Sequence, residues 1–177
     1  MLVVFSFLGD KMKKIVIIGP SGSGKSTFAR KLHNITNIPL FPLDNIWWNK
    51  DKTHISRDNF DKILDGLLNQ NEWIIEGDYS RTYDIRMQHA DTIFFLDYPL
   101  EVCLKGAEER VGKKREDIPW VEEEFDPEFK KWIIDWFSLT RPKALDLIRK
   151  YSQDKKVFVF YTRDEANAYL DKLTKEQ

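Results

Sequence analysis

From Gly19 to Thr27 the chain reads GPSGSGKST, three glycines and four hydroxyl residues around Lys25, directly after the apolar run KIVII. The spacing Gly19-x4-Gly24-Lys25-Ser26 is that of a phosphate-binding loop. Its backbone N–H groups turn inward to cradle phosphate oxygens, and side chains there would block the approach. On this reading Gly19, Pro20, Ser21, Gly22, Ser23, Gly24, Lys25, Ser26 and Thr27 hold ATP. Lys25 reaches the β- and γ-phosphates, the Ser26 hydroxyl ligates magnesium, and the following helix adds the partial positive charge of its N-terminus. Small residues making a tight strand-to-helix turn are the plainer alternative. An apolar run before the motif and a helical pattern after it favour the phosphate loop.

Phosphoryl transfer also needs a carboxylate that orients the acceptor oxygen, a carboxylate near the metal, and cations that meet the spreading charge. Asp44 follows the apolar segment IPLFPL, at the carboxyl edge of a parallel sheet where doubly wound folds bind ligands; an ordinary turn aspartate ahead of Asn45 fits the same place. Glu76 and Asp97 each end an apolar run, and either can hold Mg²⁺ through water, since that ion usually keeps several of its waters. Capping of the next helix is the alternative, stronger for Asp97 because Pro99 follows. Arg81 and Arg86 come shortly after Glu76. Arg110, Lys113, Lys114, Arg115 and Arg141 are further cations, and the acidic run VEEEFDPE allows them to be a balanced, solvated charge run. Trp47 and Trp48 are costly to expose and fit the wall of an acceptor pocket. Trp132, Ile133, Trp136 and Phe137 recur at a helical spacing that reads as a packed stripe. The three histidines show no ligand spacing, and one cysteine gives a structural zinc site no support.

Elements that can position these residues are legible in the patterning. Apolar runs alternate with helical patterns at the spacing of βαβ units: KIVIIG, IPLFPL, EWIIEG, DTIFFLDYP and KKVFVFYT read as strands. Near-continuous apolar runs mark a sheet covered on both faces, so the expected fold is α/β, a doubly wound five-stranded parallel sheet. Ser56 is set to cap a helix with Phe60, Ile63, Leu64, Leu67 and Leu68 on one face, and Thr162 with Glu165 forms a capping box for the last helix. An irregular acidic and aromatic insert, about residues 111–140, separates the last two strands.

The chain has 177 residues and 42% apolar content, enough for one domain, read as residues 12–177 because Met12 opens KKIVIIG. Residues 1–11 lack the basic start and small-residue cleavage site of a signal peptide and read as an extension of uncertain order, with an extra edge strand as the structural alternative. Lys and Arg number 28 against 29 Asp and Glu, a net charge of -1 that implies no broad polyanion-binding face and sets nucleic acid aside. No apolar run approaches the roughly 18 residues of a membrane-spanning helix, and the single Cys103 forms no internal disulfide. A cytoplasmic protein whose partners are ATP, Mg²⁺ and a small-molecule acceptor is expected.

The ordered set IGPSGSGKST, FPLDNIWW, WIIEGDYSRTYDIR, ADTIFFLDYP and the Trp-rich segment ending in TRPKAL resembles the adenylate-kinase-like small P-loop kinases, and within them the group labelled topology modulation proteins. The resemblance runs from about Met12 to Leu173 and implies a nucleoside-monophosphate-kinase type of fold with a lid. It implies that Asp44 holds or activates the acceptor hydroxyl, that Glu76 rather than Asp97 serves the metal, and that Arg81 and Arg86 face the acceptor or its phosphate. It places Arg115 and Arg141 in or beside the lid. Adenylate kinases carry a motif like DGFPR; here the acid is Glu76, one methylene longer, and Arg81 stands one residue further along than the arginine of that motif. A nucleotide, a nucleoside or another hydroxyl compound can be the acceptor. A small-metabolite kinase of the shikimate or gluconate type, or a nucleotide-dependent protein affecting DNA topology, are the competing readings.

Overall fold

Ile15, Val16, Ile17 and Ile18 are all fully buried, because the strand they form lies inside a sheet with helices on both faces. The computed structural model describes residues 2–4, 12–116 and 118–176. Its strands are β1 (Leu2–Val4), β2 (Lys14–Ile18), β3 (Leu40–Pro42), β4 (Trp73–Glu76), β5 (Thr92–Leu96) and β6 (Lys156–Phe160). The helices are α1 (Lys25–Thr36), α2 (Leu43–Trp47), α3 (Arg57–Leu68), α4 (Tyr83–His89), α5 (Leu100–Glu108), α6 (Pro127–Leu139), α7 (Arg141–Tyr151) and α8 (Arg163–Lys175).

The strand order is β1-β6-β5-β2-β4-β3, and β2 to β6 are mutually parallel, as expected. A sixth strand was left open by the sequence: β1 adds to the edge, antiparallel to β6. The remainder of the expected 1–11 extension lies outside the described residues. The chain fills one side of β2 with β3 and β4, then crosses to the other with β5 and β6, so β2 ends at a topological switch point. Register brings the carboxyl ends together: Ile17 pairs with Glu76, Ile18 with Phe95, and Pro42 with Glu76. The phosphate-loop motif, Asp44, Glu76 and Asp97 therefore all emerge along one edge of the sheet.

Alternation along the strands builds two cores. Val16, Ile18, Ile75 and Phe95 pack with Phe60, Leu64, Met87 and Ile148 on one face, while Ile15, Ile17, Ile74 and Phe94 pack with Phe28, Leu32, Cys103 and Leu170 on the other. The caps read from sequence form: Ser56 accepts from the Asn59 amide and Thr162 from the Glu165 amide. Ile63, expected on the buried face of α3, is instead 44% exposed, since the sheet covers a narrower stripe of that helix than its apolar residues span. The insert is irregular only as far as Asp126. Its second half is α6, which buries Ile133 and Trp136 but leaves Trp132 45% exposed and stacked on Phe129. No helix among the described residues is long and apolar enough to cross a membrane.

The loop before α1 is packed against α5 at a contact only glycine permits. A methyl group on Gly22 would stand 1.8 Å from the Cys103 carbonyl oxygen, and one on Gly106 would stand 2.2 Å from the Gly22 carbonyl oxygen and 2.6 Å from the Arg163 guanidinium. Gly106→Ala is therefore expected to destabilise the fold by about 1–3 kcal/mol, within the range for overpacking, and to lower Tm by several degrees. Thermal unfolding with and without ATP·Mg²⁺ measures both this loss and the weaker grip of a displaced loop.

Candidate active site

No side chain caps α1, whereas Ser56, Asp126 and Thr162 cap α3, α6 and α8. Its N-cap is Gly24 at φ 90°, a left-handed state that turns the loop into the helix with no side-chain cap on its first amides. Beside them Ser23 Oγ is buried without a hydrogen-bond partner. Uncapped amides and an orphaned hydroxyl in a glycine turn fit phosphate oxygens, which accept hydrogen bonds and carry negative charge.

Lys25, on the first turn of α1, is only 8% exposed and donates from Nζ to the Pro20 carbonyl oxygen at 2.9 Å. Burial pulls its ammonium below the usual lysine range. The carboxylates of Asp78, Glu76 and Asp44 act in the opposite direction, and Arg110 adds to the lowering. These three acids come from different elements. Glu76 ends β4 and is 2% exposed, Asp78 follows in the turn after it, and Asp44 sits in the first turn of α2.

A second group of residues holds these carboxylates in place. Tyr79 donates its hydroxyl to Asp44 Oδ1 at 2.8 Å, and burial together with that carboxylate keeps the phenol well above its ordinary range, so it remains a donor. Asp78 accepts from the Tyr83 hydroxyl and, at 2.9 Å, from Trp136 Nε1. Arg86 was expected near the acceptor. It is instead fully buried, with Nη1 and Nη2 donating to the carbonyls of Gly77, Asp78 and Tyr79 at 3.1, 3.0 and 3.4 Å, and burial lowers it to about 10. Those carbonyls belong to a tight turn in which Gly77 has φ 139° and Tyr79 φ 23°, a state a bulky residue rarely adopts. Sequence reading missed Asp78, Tyr79 and the Arg86 role, because the bend at Gly77 alone brings them beside α1. The stripe Ile133–Trp136 was legible as packing, but nothing in its spacing shows that Trp136 ends on a carboxylate.

The structure brings Lys25, Asp44, Glu76 and Asp78 together and separates the expected cations. Arg115 lines a cavity of about 530 Å³ beside the loop, and its guanidinium meets Glu122 at 3.2 Å. Arg141 is bidentate on Asp97, Nε to Oδ1 at 2.7 Å and Nη2 to Oδ2 at 2.8 Å, with the Asp97 side chain 1% exposed. Arg81 is bidentate on Asp61 of α3, both half-exposed. Of the two acids read as metal candidates, Glu76 shares a second cavity, of about 730 Å³, with Ser26, whereas Asp97 is engaged by Arg141. A hydroxyl and a carboxylate opening onto one space suit a hard oxygen-loving ion.

The first cavity runs from Gly22, Ser23, Gly24, Ser26 and Thr27 to Tyr98 and Asn167. Seven cations line it: Arg30 and Lys31 of α1, Arg110, Lys113, Lys114 and Arg115 of the insert, and Arg163 of α8. Two acids, Glu109 and Glu116, oppose them. Two further contacts tie the insert to α1 and to the residue after α2. Glu116 meets Arg30 at 3.7 Å, and Trp120 packs edge-on against Trp48 at 5.5 Å, beside the Trp47–His54 stack.

No protein-family model matches the chain, and no curated protein matches it in sequence. Solved structures do match it in shape. Shikimate kinase from Acinetobacter baumannii in complex with shikimate superposes with a TM-score of 0.59 at 16% identity, over 94% of this chain and 96% of that one. A gluconokinase from Sinorhizobium meliloti 1021 gives a TM-score of 0.54 at 16% identity over 93% and 94% of the two chains. Shikimate kinase from Aquifex aeolicus gives 0.51 at 19% identity over 92% and 95%. The fold is that of the small P-loop kinases. None of these neighbours is described as acting on DNA, so the topology modulation label finds no support among them.

The Asp78 network makes a direct expectation. Tyr83→Phe removes a donor to a half-buried carboxylate while keeping the ring, and should destabilise the protein by about 1.5–3 kcal/mol, as for hydrogen bonds to charged groups. Tyr161→Phe, at an exposed ring, serves as the control and should leave Tm unchanged. Equal melting of the two variants would show that the Tyr83–Asp78 contact carries no stability.

Proposed function

We propose that this chain is an ATP-dependent phosphotransferase that moves the γ-phosphoryl group of ATP·Mg²⁺ to a hydroxyl of a small acceptor. The observation that carries the reading is the cation-lined cavity whose wall includes Gly22, Ser23, Gly24, Ser26 and Thr27 of the glycine loop and the start of α1. A net charge of -1 over the whole chain makes seven cations against two acids in one cavity a local concentration of positive charge, matched to a polyphosphate. The neighbours described as shikimate kinase and gluconokinase support the reading, and a small-metabolite kinase fits it as well as a nucleoside or nucleotide kinase does.

The residues divide the work. Backbone amides from Gly22 to Thr27 hold the β- and γ-phosphates, and Lys25 neutralises their charge. Ser26, with Glu76 through water, holds the magnesium ion, which when bound offsets phosphate charge. Asp44, oriented by Tyr79, accepts the proton of the acceptor hydroxyl. Arg115 and its neighbours in the insert exclude water and meet charge that grows on the transferring group. Arg141, by fixing Asp97, orders the end of β5 behind the loop. Arg81 is proposed as a contact for the acceptor once it leaves Asp61.

A DNA-directed role has less to stand on. Duplex binding calls for an open basic face, and here the cations converge inside a cavity. A cytoplasmic setting, where ATP and Mg²⁺ are at hand, completes the proposal.

Lys25→Ala should lower the turnover of ATP to ADP by about a hundredfold or more, on the scale seen when one charge-stabilising group is removed. Circular dichroism should remain that of the folded protein, because the Lys25 head group meets the loop and not the apolar core. Unchanged turnover in a folded variant would refute the assignment. Arg115→Ala makes a separate demand. Its turnover should fall more than its ground-state ATP affinity, since a lid cation meets charge mainly in the transition state; equal losses would make Arg115 a simple binding residue.

A further inference from the structure

Strain and burial meet at the turn after β4. Gly77 has φ 139°, and Tyr79 sits at φ 23°, ψ 56°, where a residue with a side chain is rarely found. Arg86 of α4 reaches this turn with no exposed surface, Nη1 on the Gly77 carbonyl at 3.1 Å and Nη2 on those of Asp78 and Tyr79 at 3.0 and 3.4 Å. Its Nε is buried without a hydrogen-bond partner, so the chain desolvates a cation and leaves one of its donors unmet. Thr82 adds its N–H and its hydroxyl to the same Tyr79 carbonyl, both at 2.8 Å. Such strain persists only where the surroundings over-determine it, and it gathers where geometry serves function.

The turn delivers Tyr79 to α2. Its hydroxyl donates to Asp44 Oδ1 at 2.8 Å, and its ring stacks on Phe60 at 5.1 Å and meets Trp47 edge-on at 6.1 Å. Asp44 and Trp47 both belong to α2, so one side chain fixes the acid and the helix that carries it. Asp78, the other side chain of the turn, has anchors of its own in Tyr83 and Trp136. Loss of the Arg86 fork therefore reaches Tyr79 before it reaches Asp78.

Resting on the phosphotransferase reading above, we propose that Arg86 is a positioning residue for the transfer step: by gripping the carbonyls of Gly77, Asp78 and Tyr79 it aims the Tyr79 hydroxyl at Asp44, and so sets the geometry in which that carboxylate takes the acceptor proton. Fully buried, Arg86 acts through the turn alone. A lysine in its place keeps the charge and loses the planar fork. Proton transfer depends on the placement of Asp44 more than the ground-state binding of ATP does, so turnover and affinity separate.

Hydrolysis of ATP·Mg²⁺ by the whole chain tests this, because water is then the acceptor. The water oxygen bonds to the γ-phosphorus, the bond from that phosphorus to the bridging oxygen breaks with its electron pair going to ADP, and a water proton passes to the Asp44 carboxylate. Turnover and calorimetric ATP affinity are measured for the wild type, Arg86→Lys, Tyr79→Phe and the double variant. Arg86→Lys should lower turnover about tenfold to a hundredfold while ATP affinity stays within about threefold of the wild type, and the double variant should lose no more than the larger single loss, since both changes act on one contact. Unchanged turnover, equal losses of turnover and affinity, or losses that multiply in the double variant overturn the proposal. Should Arg86→Lys not fold, Thr82→Val removes one donor from the same Tyr79 carbonyl and enters the same cycle, with a turnover loss of about threefold or more expected. Unchanged turnover in Thr82→Val, or a loss that multiplies with that of Tyr79→Phe, is then the contradicting result. The two readings fail separately: a wild-type chain that binds no ATP or forms no ADP ends the phosphotransferase reading and this one with it, whereas wild-type turnover in Arg86→Lys ends this one alone.

Discussion

Burying one ammonium group at the edge of the sheet is the constraint that shapes the rest of the site. An unpaired buried charge costs several kcal/mol, so Lys25 is tolerable only with compensation close by. The Pro20 carbonyl supplies some of it, and Asp78, Glu76 and Asp44 add to it. Each carboxylate then needs a holder of its own. Tyr79 serves Asp44, Tyr83 and Trp136 serve Asp78, and the Arg86 guanidinium fixes the turn from which Asp78 and Tyr79 project. A chain of polar contacts thus runs from the phosphate loop to α4 and α6, through side chains that apolar patterning alone would assign to the core.

The fold was legible because its signals are local. Buried parallel strands are continuous apolar runs, and GPSGSGKST states both its turn and its chemistry within nine residues. Strand ends placed Asp44, Glu76 and Asp97 at one edge, and register confirms that they emerge together. What the sequence hid depends on distance across the fold. Arg81 and Arg141 read as free cations until Asp61, twenty positions away, and Asp97, forty-four away, are seen to engage them. Asp78 is two residues from Glu76, yet only the left-handed bend at Gly77 turns it toward α1. Within the insert, expected to be irregular, the residues that read as a packed helical stripe do form α6, and its Ile133 and Trp136 belong to the core.

Two small-residue contacts tie the nucleotide side of the site to the scaffold. Gly22 against α5, and Gly106 against Gly22 and Arg163, let the loop, α5 and the start of α8 approach more closely than any side chain allows. Arg163 lines the cation-rich cavity while donating to the Gly22 carbonyl at 3.5 Å, so the wall of that cavity and the loop share one support. On the opposite side, the insert reaches from those cations to Trp48 through Trp120. The segment that carries those cations therefore also touches the residue that follows α2.

The central claim is that the glycine loop and Lys25 grip the terminal phosphates of a nucleotide. Calorimetric titration of the wild-type chain with AMP, ADP and ATP, each with Mg²⁺, addresses it directly. The account predicts weak binding of AMP and a steep gain, about tenfold or more per added phosphate, at the β and γ positions, on the scale of charge-assisted hydrogen bonds. Equal affinity for the three nucleotides would mean that the loop does not hold the phosphates and would contradict it.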